Sequence, residues 1–374
     1  MTDAATDDGD EHPTAYVAIE GGRVVEARSR APGRARGELV FTTAYTGYEE
    51  SLTDPSYEEQ ILTFSYPLIG NYGVREERFE SDRVHPRAAV AREFTEDVAE
   101  WLANEGIPAV DHLDTRDLVT GIREEGAMKC GISAGPDASP EAATEELDQC
   151  VAMSDHTDIG SQVSVPGRET HNREGDGPTV ALVDCGAKGS IISSLVERDA
   201  VVEVLPYDAT VADVESVDPD LMFISNGPGD PENFERAAAL VDEYVGETPI
   251  AGICLGQQVV ANALGGSTEK MEFGHRGVNQ PVRDLRSGRV VMTTQNHGYT
   301  VDEPGDQLEV TQINVNDDTP EGLESDELDI ITRQYHPEAN PGPNDSLDFF
   351  DDVLALAGYE TDAGTTGAPT KATQ

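Results

Sequence analysis

Along the first part of this chain of 374 residues, apolar positions alternate with polar ones in short runs. They are Tyr16-Val17-Ala18-Ile19, Arg23-Val24-Val25, Glu38-Leu39-Val40-Phe41 and Gln60-Ile61-Leu62-Thr63-Phe64, separated by Gly-Gly, Pro-Gly and Asp-Pro turn signals. A period of two with such punctuation predicts a small β-rich layer. Helical spacing follows at 97–105 and 115–125. The second half has another rhythm. Strand-like Thr179–Val183, Val201–Leu205, Leu221–Ser225 and Pro249–Ile253 alternate with helical patterns at Ser190–Arg198 and Glu232–Val245. Strands interleaved with helices predict a parallel sheet with right-handed crossovers, whose ligand cleft lies beyond the C-terminal strand edges. The chain therefore reads as α/β throughout. An open, mostly parallel C-terminal sheet flanked by helices (178–358) follows a smaller β-rich N-terminal α/β domain (14–153). Residues 154–177 are polar, rich in Gly and Ser and aperiodic, and read as a linker; 1–13 and 359–374 read as tails.

Composition changes this picture in one respect. Apolar residues make up 37 % of the chain and the formal charge is −48, from 73 acidic and 25 basic side chains. The acid is spread through nearly every segment, candidate helices included, instead of being gathered into a tail. Such a surface repels itself at low salt, whereas at molar salt the screening length shrinks to roughly 3 Å. The acid is therefore read as a halophilic surface. Its sign argues against a nucleic-acid partner. Four cysteines without a CxxC pair argue against a zinc site or disulfide framework and fit a reducing cytoplasm. Met1–His12 carries no apolar h-region of a signal peptide, and no apolar run approaches the roughly 20 residues of a membrane span.

The chemistry is concentrated in two short segments. Gly252-Ile253-Cys254-Leu255-Gly256-Gln257-Gln258 places a cysteine between glycines directly after a predicted strand, the sequence form of a nucleophile elbow. Amides at the following helix N-terminus favour thiolate and oxyanion alike. Far downstream, His336-Pro337-Glu338 ends another apolar run and offers a general base with an orienting carboxylate. A cysteine among apolar residues is usually an inert core side chain, and Cys130, Cys150 and Cys185 are read so. Asn226-Gly227-Pro228-Gly229 follows a neighbouring strand, so this loop and Cys254 are expected at one sheet edge.

Ser225-Asn226-Gly227-Pro228-Gly229-Asp230-Pro231, the Cys254 segment and His336-Pro337-Glu338 resemble, in order, the signature segments of the class I glutamine amidotransferases. Four further stretches resemble more narrowly the small, glutamine-hydrolysing chains of carbamoyl phosphate synthetases. They are the segment from Glu272 to Val282, Thr294-Gln295-Asn296-His297-Gly298-Tyr299, the segment from Thr46 to Tyr57, and that from Tyr66 to Gly73. The resemblance implies hydrolysis of L-glutamine by Cys254, His336 and Glu338. It assigns glutamine contacts to Gly227, Gly229, Leu255, Gln258, Asn296, Gly298 and Tyr299, with oxyanion donors at the Leu255 amide and the Gly227–Gly229 loop. It implies no cofactor or metal on this chain. A large subunit uses ATP and Mg to make carbamoyl phosphate for arginine and pyrimidine synthesis in the cytoplasm, with ammonia passing between the chains.

Blander readings stand beside these: a tight turn for Gly227 and Gly229, a cleft-facing helix position for Gln258, and a hairpin turn for Asn296 and Gly298. His275 and His297 read as surface or structural histidines. The sequence departs from the family at Ala44, where relatives carry a serine that touches glutamine, at Tyr299 in place of Phe, and at Gln257 in place of His. Service to another synthase, or a non-catalytic scaffold, are the alternative functions.

Overall fold

The computed structural model describes residues 14–360. The tail at 1–13, and all but the first two residues of the tail at 359–374, lie outside the described residues. Tyr359 itself packs on the C-terminal core, its amide donating to Leu354 O at 3.0 Å.

The alternating runs of the N-terminal half fold into strands that close on themselves. Thr14–Ile19 pairs antiparallel with both Arg23–Ala31 and Met128–Ala134, and this double pairing joins seven strands into a barrel. Inward positions Val17, Ile19, Leu39, Phe41, Ile61, Val90 and Ile132 form its core. Helix Thr115–Glu125 caps the barrel with Leu118 and Ile122. It begins where the Asp114 carboxylate accepts the amide of Asp117 and stops at Gly126, which has φ 90°.

The C-terminal half is built on a ten-stranded sheet. Its centre is parallel: Val201–Pro206, Thr179–Asp184, Leu221–Ile224, Ile250–Ile253 and Ile330–Arg333 lie side by side in that order. Helices on the two faces cover two apolar clusters, one around Val183, Ile224 and Val260, the other around Leu182, Phe223 and Phe350. Beyond Ile330–Arg333 the sheet continues antiparallel through Pro320–Ser325, Glu309–Asn314, Ser267–Asp284 and Val290–Glu303. The antiparallel part is not legible in the apolar pattern, because many of the buried positions in Val290–Glu303 are polar. In Val290–Glu303 the buried side chains include Thr293, Thr294, Gln295, Asn296, His297 and Thr300.

Residues 154–177 contain helix Ile159–Val163 and strand Glu169–His171, which pairs antiparallel with Val201–Pro206 at the sheet edge. The two halves meet through polar contacts. Glu80 accepts from the Ser190 hydroxyl at 2.7 Å, Lys270 pairs with Glu38 at 2.5 Å, and Gln162 O accepts from Arg83 at 2.8 Å. Among the described residues no helix is long and apolar enough to cross a membrane.

Candidate active site

Strands Leu221–Ile224 and Ile250–Ile253 are parallel neighbours, with Ile224 opposite Gly252. Their C-terminal ends therefore deliver the Gly227–Gly229 loop and Cys254 to one edge. Cys254 is 2 % exposed and carries φ 55°, ψ −106°, outside the regions an L residue ordinarily occupies. Close packing on both sides fixes that turn. A Cβ on Gly256 would stand 2.2 Å from Ile224 O, and one on Gly252 2.9 Å from Gly256 C. Helix Leu255–Ala263 starts immediately after the cysteine and points its first amides at the cleft.

The next parallel strand, Ile330–Arg333, brings in His336, whose amide donates to Thr294 O at 2.8 Å. His336 Nδ1 and Glu338 Oε1 are 2.5 Å apart, and both side chains are buried. Nε2 of His336 makes no hydrogen bond of ordinary length, yet the Cys254 thiol stands close enough to raise the proton affinity of the ring. Burial by itself would lower the imidazole's pKa; Glu338 and Cys254 overcome it and carry it well above the ordinary value. Glu338 moves the other way. Burial would raise it, but Lys188 and His336 hold the carboxylate charged.

Lys188 is a neighbour of this pair that the motifs in the sequence do not point to. Lys188 is buried, and its ammonium donates to Glu338 Oε1 at 3.1 Å and Ala339 O at 2.7 Å and lies 3.9 Å from Glu80. A lysine straight after a buried strand, in a chain with so few, was the available signal. Asp54 and Ser56 of the N-terminal half were also missed as site residues. Asp54 Oδ2 accepts from Asn296 Nδ2 at 3.0 Å, and Ser56 Oγ accepts from Asn226 Nδ2 at 3.0 Å. The Asp-Pro dipeptide marked only a turn.

In front of the sulfur lies a narrow cleft lined by Gly227, Gly229, Gln258, Asn296, Gly298 and Tyr299 together with Cys254. Leu255, at the start of the helix, is buried at 1 % and is not among the lining residues. Six of the seven residues expected around glutamine thus line one cleft, with Leu255 next to Cys254 in the chain. Gly227 leaves no room for a side chain, since a Cβ there would stand 2.1 Å from Cys185 O. Gly229 has φ 89°. Asn296 and Gly298 lie inside the long strand Val290–Glu303, so the hairpin-turn reading does not hold for them. Asn296 O faces the Cys254 sulfur at 3.8 Å. Gln258 donates to Tyr299 O at 2.7 Å, as does His297 at 2.8 Å.

His275 and His297 are buried, not on the surface. With Glu321 they form the one cluster among the described residues whose atoms could hold a metal ion. Every ring nitrogen there has a protein partner: Asp317 and Asn314 for His275, Tyr299 O and Gln295 for His297. Ala44 lines a neighbouring cavity that also touches Lys188, His336 and Asn296. Gln257 is turned into the sheet, bonded to Pro320 O and Thr332.

Comparison with known proteins agrees on both halves. Residues 17–132 match the carbamoyl-phosphate synthase small chain, CPSase domain, and residues 181–356 match glutamine amidotransferase class-I. The chain is 71 % identical over 343 residues to a carbamoyl phosphate synthase small chain of Halobacterium salinarum, covering 92 % of this chain and 96 % of that one. The chain belongs to the carbamoyl phosphate synthase small chain family. Members from more distant organisms retain the likeness. The small chain of Archaeoglobus fulgidus is 43 % identical over 90 % of this chain and 97 % of its own length, and that of Caldanaerobacter subterraneus is 41 % identical over 91 % and 96 %.

Proposed function

We propose that this small chain hydrolyses L-glutamine at Cys254 and passes the ammonia to a large subunit that makes carbamoyl phosphate from bicarbonate and ATP with Mg. One observation carries the reading: Cys254 on its elbow, His336 and Glu338 stand together at the ends of adjacent parallel strands, beside a cleft lined by the expected glutamine contacts. In this reading His336 takes the thiol proton and the sulfur attacks the carboxamide carbon. The Leu255 amide and the Gly227–Gly229 loop receive the oxyanion; losing one such donor costs about 10² to 10³ in rate. The C–N bond breaks as His336 returns the proton to the departing ammonia, and water then hydrolyses the thioester to glutamate. Glu338 holds the imidazole through Nδ1 and Lys188 holds Glu338. The other end of glutamine falls to Gln258, Asn296, Gly298 and Tyr299. The free state of all four cysteines fits a cytoplasmic setting.

Reconstitution with a large subunit in high salt tests the proposal. Cys254→Ser is expected to abolish glutamine-dependent carbamoyl phosphate synthesis while ammonia-dependent synthesis continues. Loss of both activities would instead assign Cys254 to assembly. Brisk hydrolysis indifferent to the large subunit would send the ammonia to another synthase.

A further inference from the structure

Taking the cleft to be the place of glutamine hydrolysis, we infer that Ile159 is a positioning residue for that reaction. It backs the Gly227–Gly229 loop and fixes where the loop's amides point. Among the described residues neither Gly227 N nor Gly229 N donates to a protein acceptor. Both are thus left for a ligand, and the loop is held by packing instead of by hydrogen bonds of its own. Gly227 is pressed against the sheet half: its Cβ would stand 2.1 Å from Cys185 O and 2.8 Å from Leu255 Cδ2. Gly229 is backed differently. The three atoms nearest to a Cβ there all belong to Ile159, led by Cγ2 at 3.0 Å and Cδ1 at 3.4 Å. Ile159 itself is fully buried, in the apolar cluster that also holds Leu255.

Helix Ile159–Val163 is five residues long, too short to be stable alone. Contacts to both halves set its place. On the barrel side, Arg83 donates to Gln162 O at 2.8 Å and Arg87 to Gln162 Oε1 at 3.0 Å. Glu58 fixes both guanidiniums in turn, at 2.7 and 3.3 Å. Burial alone would raise the pKa of that carboxylate, yet His85, Arg83 and Arg87 hold it below the ordinary value. On the sheet side, Ser164 Oγ accepts from Tyr207 N at 2.9 Å, and Val165 N donates to Asp184 Oδ2 at 2.7 Å. Val163 also reaches the loop's support, since it and Pro228 each lie 3.1 Å from where a Cβ on Gly186 would stand. Two of only 25 basic side chains are therefore spent on tying down a connecting helix. That helix carries the side chain behind Gly229, so the barrel bears on the loop through it.

A buried isoleucine is ordinarily core filler. Shape separates the two roles. Ile159→Val is smaller but keeps Cγ2, the atom nearest Gly229. Ile159→Leu keeps the volume but has no branch at Cβ. Core filling alone gives the valine variant no advantage over the leucine variant, and both changes are mild enough to preserve folding.

Kinetics of the complex reconstituted in high salt decide between them. Ile159→Leu is expected to lower kcat for L-glutamine about 10- to 100-fold with KM nearly unchanged, because a misaimed donor is missed only in the transition state. Ile159→Val should keep nearly all of kcat. The γ-aldehyde analogue of glutamine, whose carbonyl adds the Cys254 sulfur and leaves its oxygen where the oxyanion forms, should bind Ile159→Leu more weakly by the same factor. Alkylation of Cys254 by chloroacetamide, which forms no oxyanion, should keep its rate and pH profile. Full kcat in Ile159→Leu overturns the inference, and so does an equal loss in Ile159→Val. A rise in KM at constant kcat would make Ile159 part of substrate binding, and slower alkylation would place its effect on the elbow; either result overturns it too. Failure of the unaltered complex to hydrolyse glutamine would remove the reaction itself, and so is told apart from failure of this inference alone.

Discussion

At the scale of single residues, the site rests on a buried line of alternating charge: Glu80, Lys188, Glu338, His336. All four are buried; Lys188 and His336 hold Glu338 charged, whereas at Glu80 burial outweighs Lys188 and raises the carboxyl's pKa, so removing Lys188 strands Glu338 first. Lys188→Met should destabilise the fold by about 3–5 kcal/mol, the usual penalty for breaking a buried pair from one side. Chemical denaturation of the two proteins measures it. A pH effect accompanies the loss. Glu338 has a folded-state pKa below its unfolded value, against the effect of burial and chiefly because of Lys188. Its contribution to stability is therefore present above the ordinary glutamate range and disappears as pH falls through the depressed value. Without Lys188 that value rises, so the acid limbs of both stability and glutaminase activity should move to higher pH. Unmoved acid limbs would show that Lys188 does not govern Glu338.

At the scale of elements, the strand-to-helix turn around Cys254 is a matter of clearance. Helix Leu255–Ala263 can start so close to the sheet only because Gly256 meets Ile224 O with no side chain between. Gly256→Ala should cost at least about 1–3 kcal/mol by forcing backbone apart, and it should lower activity by displacing the sulfur. Gly167→Ala, where an added Cβ meets nothing within 4 Å and φ is not positive, serves as the neutral control. Equal stability of the two variants would refute the clearance argument. Most of the elements behind this turn were legible. Thr115–Glu125 forms over the predicted residues, and the strands at 179, 201, 221 and 250 fall within a residue of expectation. The antiparallel strands were not, because Thr, Gln, Asn and His fill their buried positions and erase the apolar alternation.

At the scale of the molecule, two features set behaviour. One is surface charge. Ion pairs such as Arg36–Glu146 at 2.9 Å and Arg286–Glu309 at 3.2 Å sit on the exterior, where each contributes little. The excess of 48 negative charges is left for solvent to screen. Thermal stability should therefore rise between about 0.1 M and about 3 M KCl as the Debye length shrinks; equal melting temperatures would sink the halophilic reading. The other feature is the contact between halves. The N-terminal barrel is no passive appendage to the amidotransferase fold, for Asp54 and Ser56 reach across to Asn296 and Asn226 in the cleft walls.

The sequence by itself determined the family, the strand-to-helix turn at Cys254, the parallel strands and six of the residues that line the cleft. All of these depend on local rules: glycine where the backbone is crowded, apolar runs where a strand is buried, and motif order along the chain. Tertiary structure alone decided what surrounds them. Lys188 and Glu338 are 150 positions apart, and Asn296 and Asp54 are 242 apart. A side chain's charge is written in the sequence. Whether burial leaves that charge satisfied or opposed depends on neighbours that only the folded chain brings together.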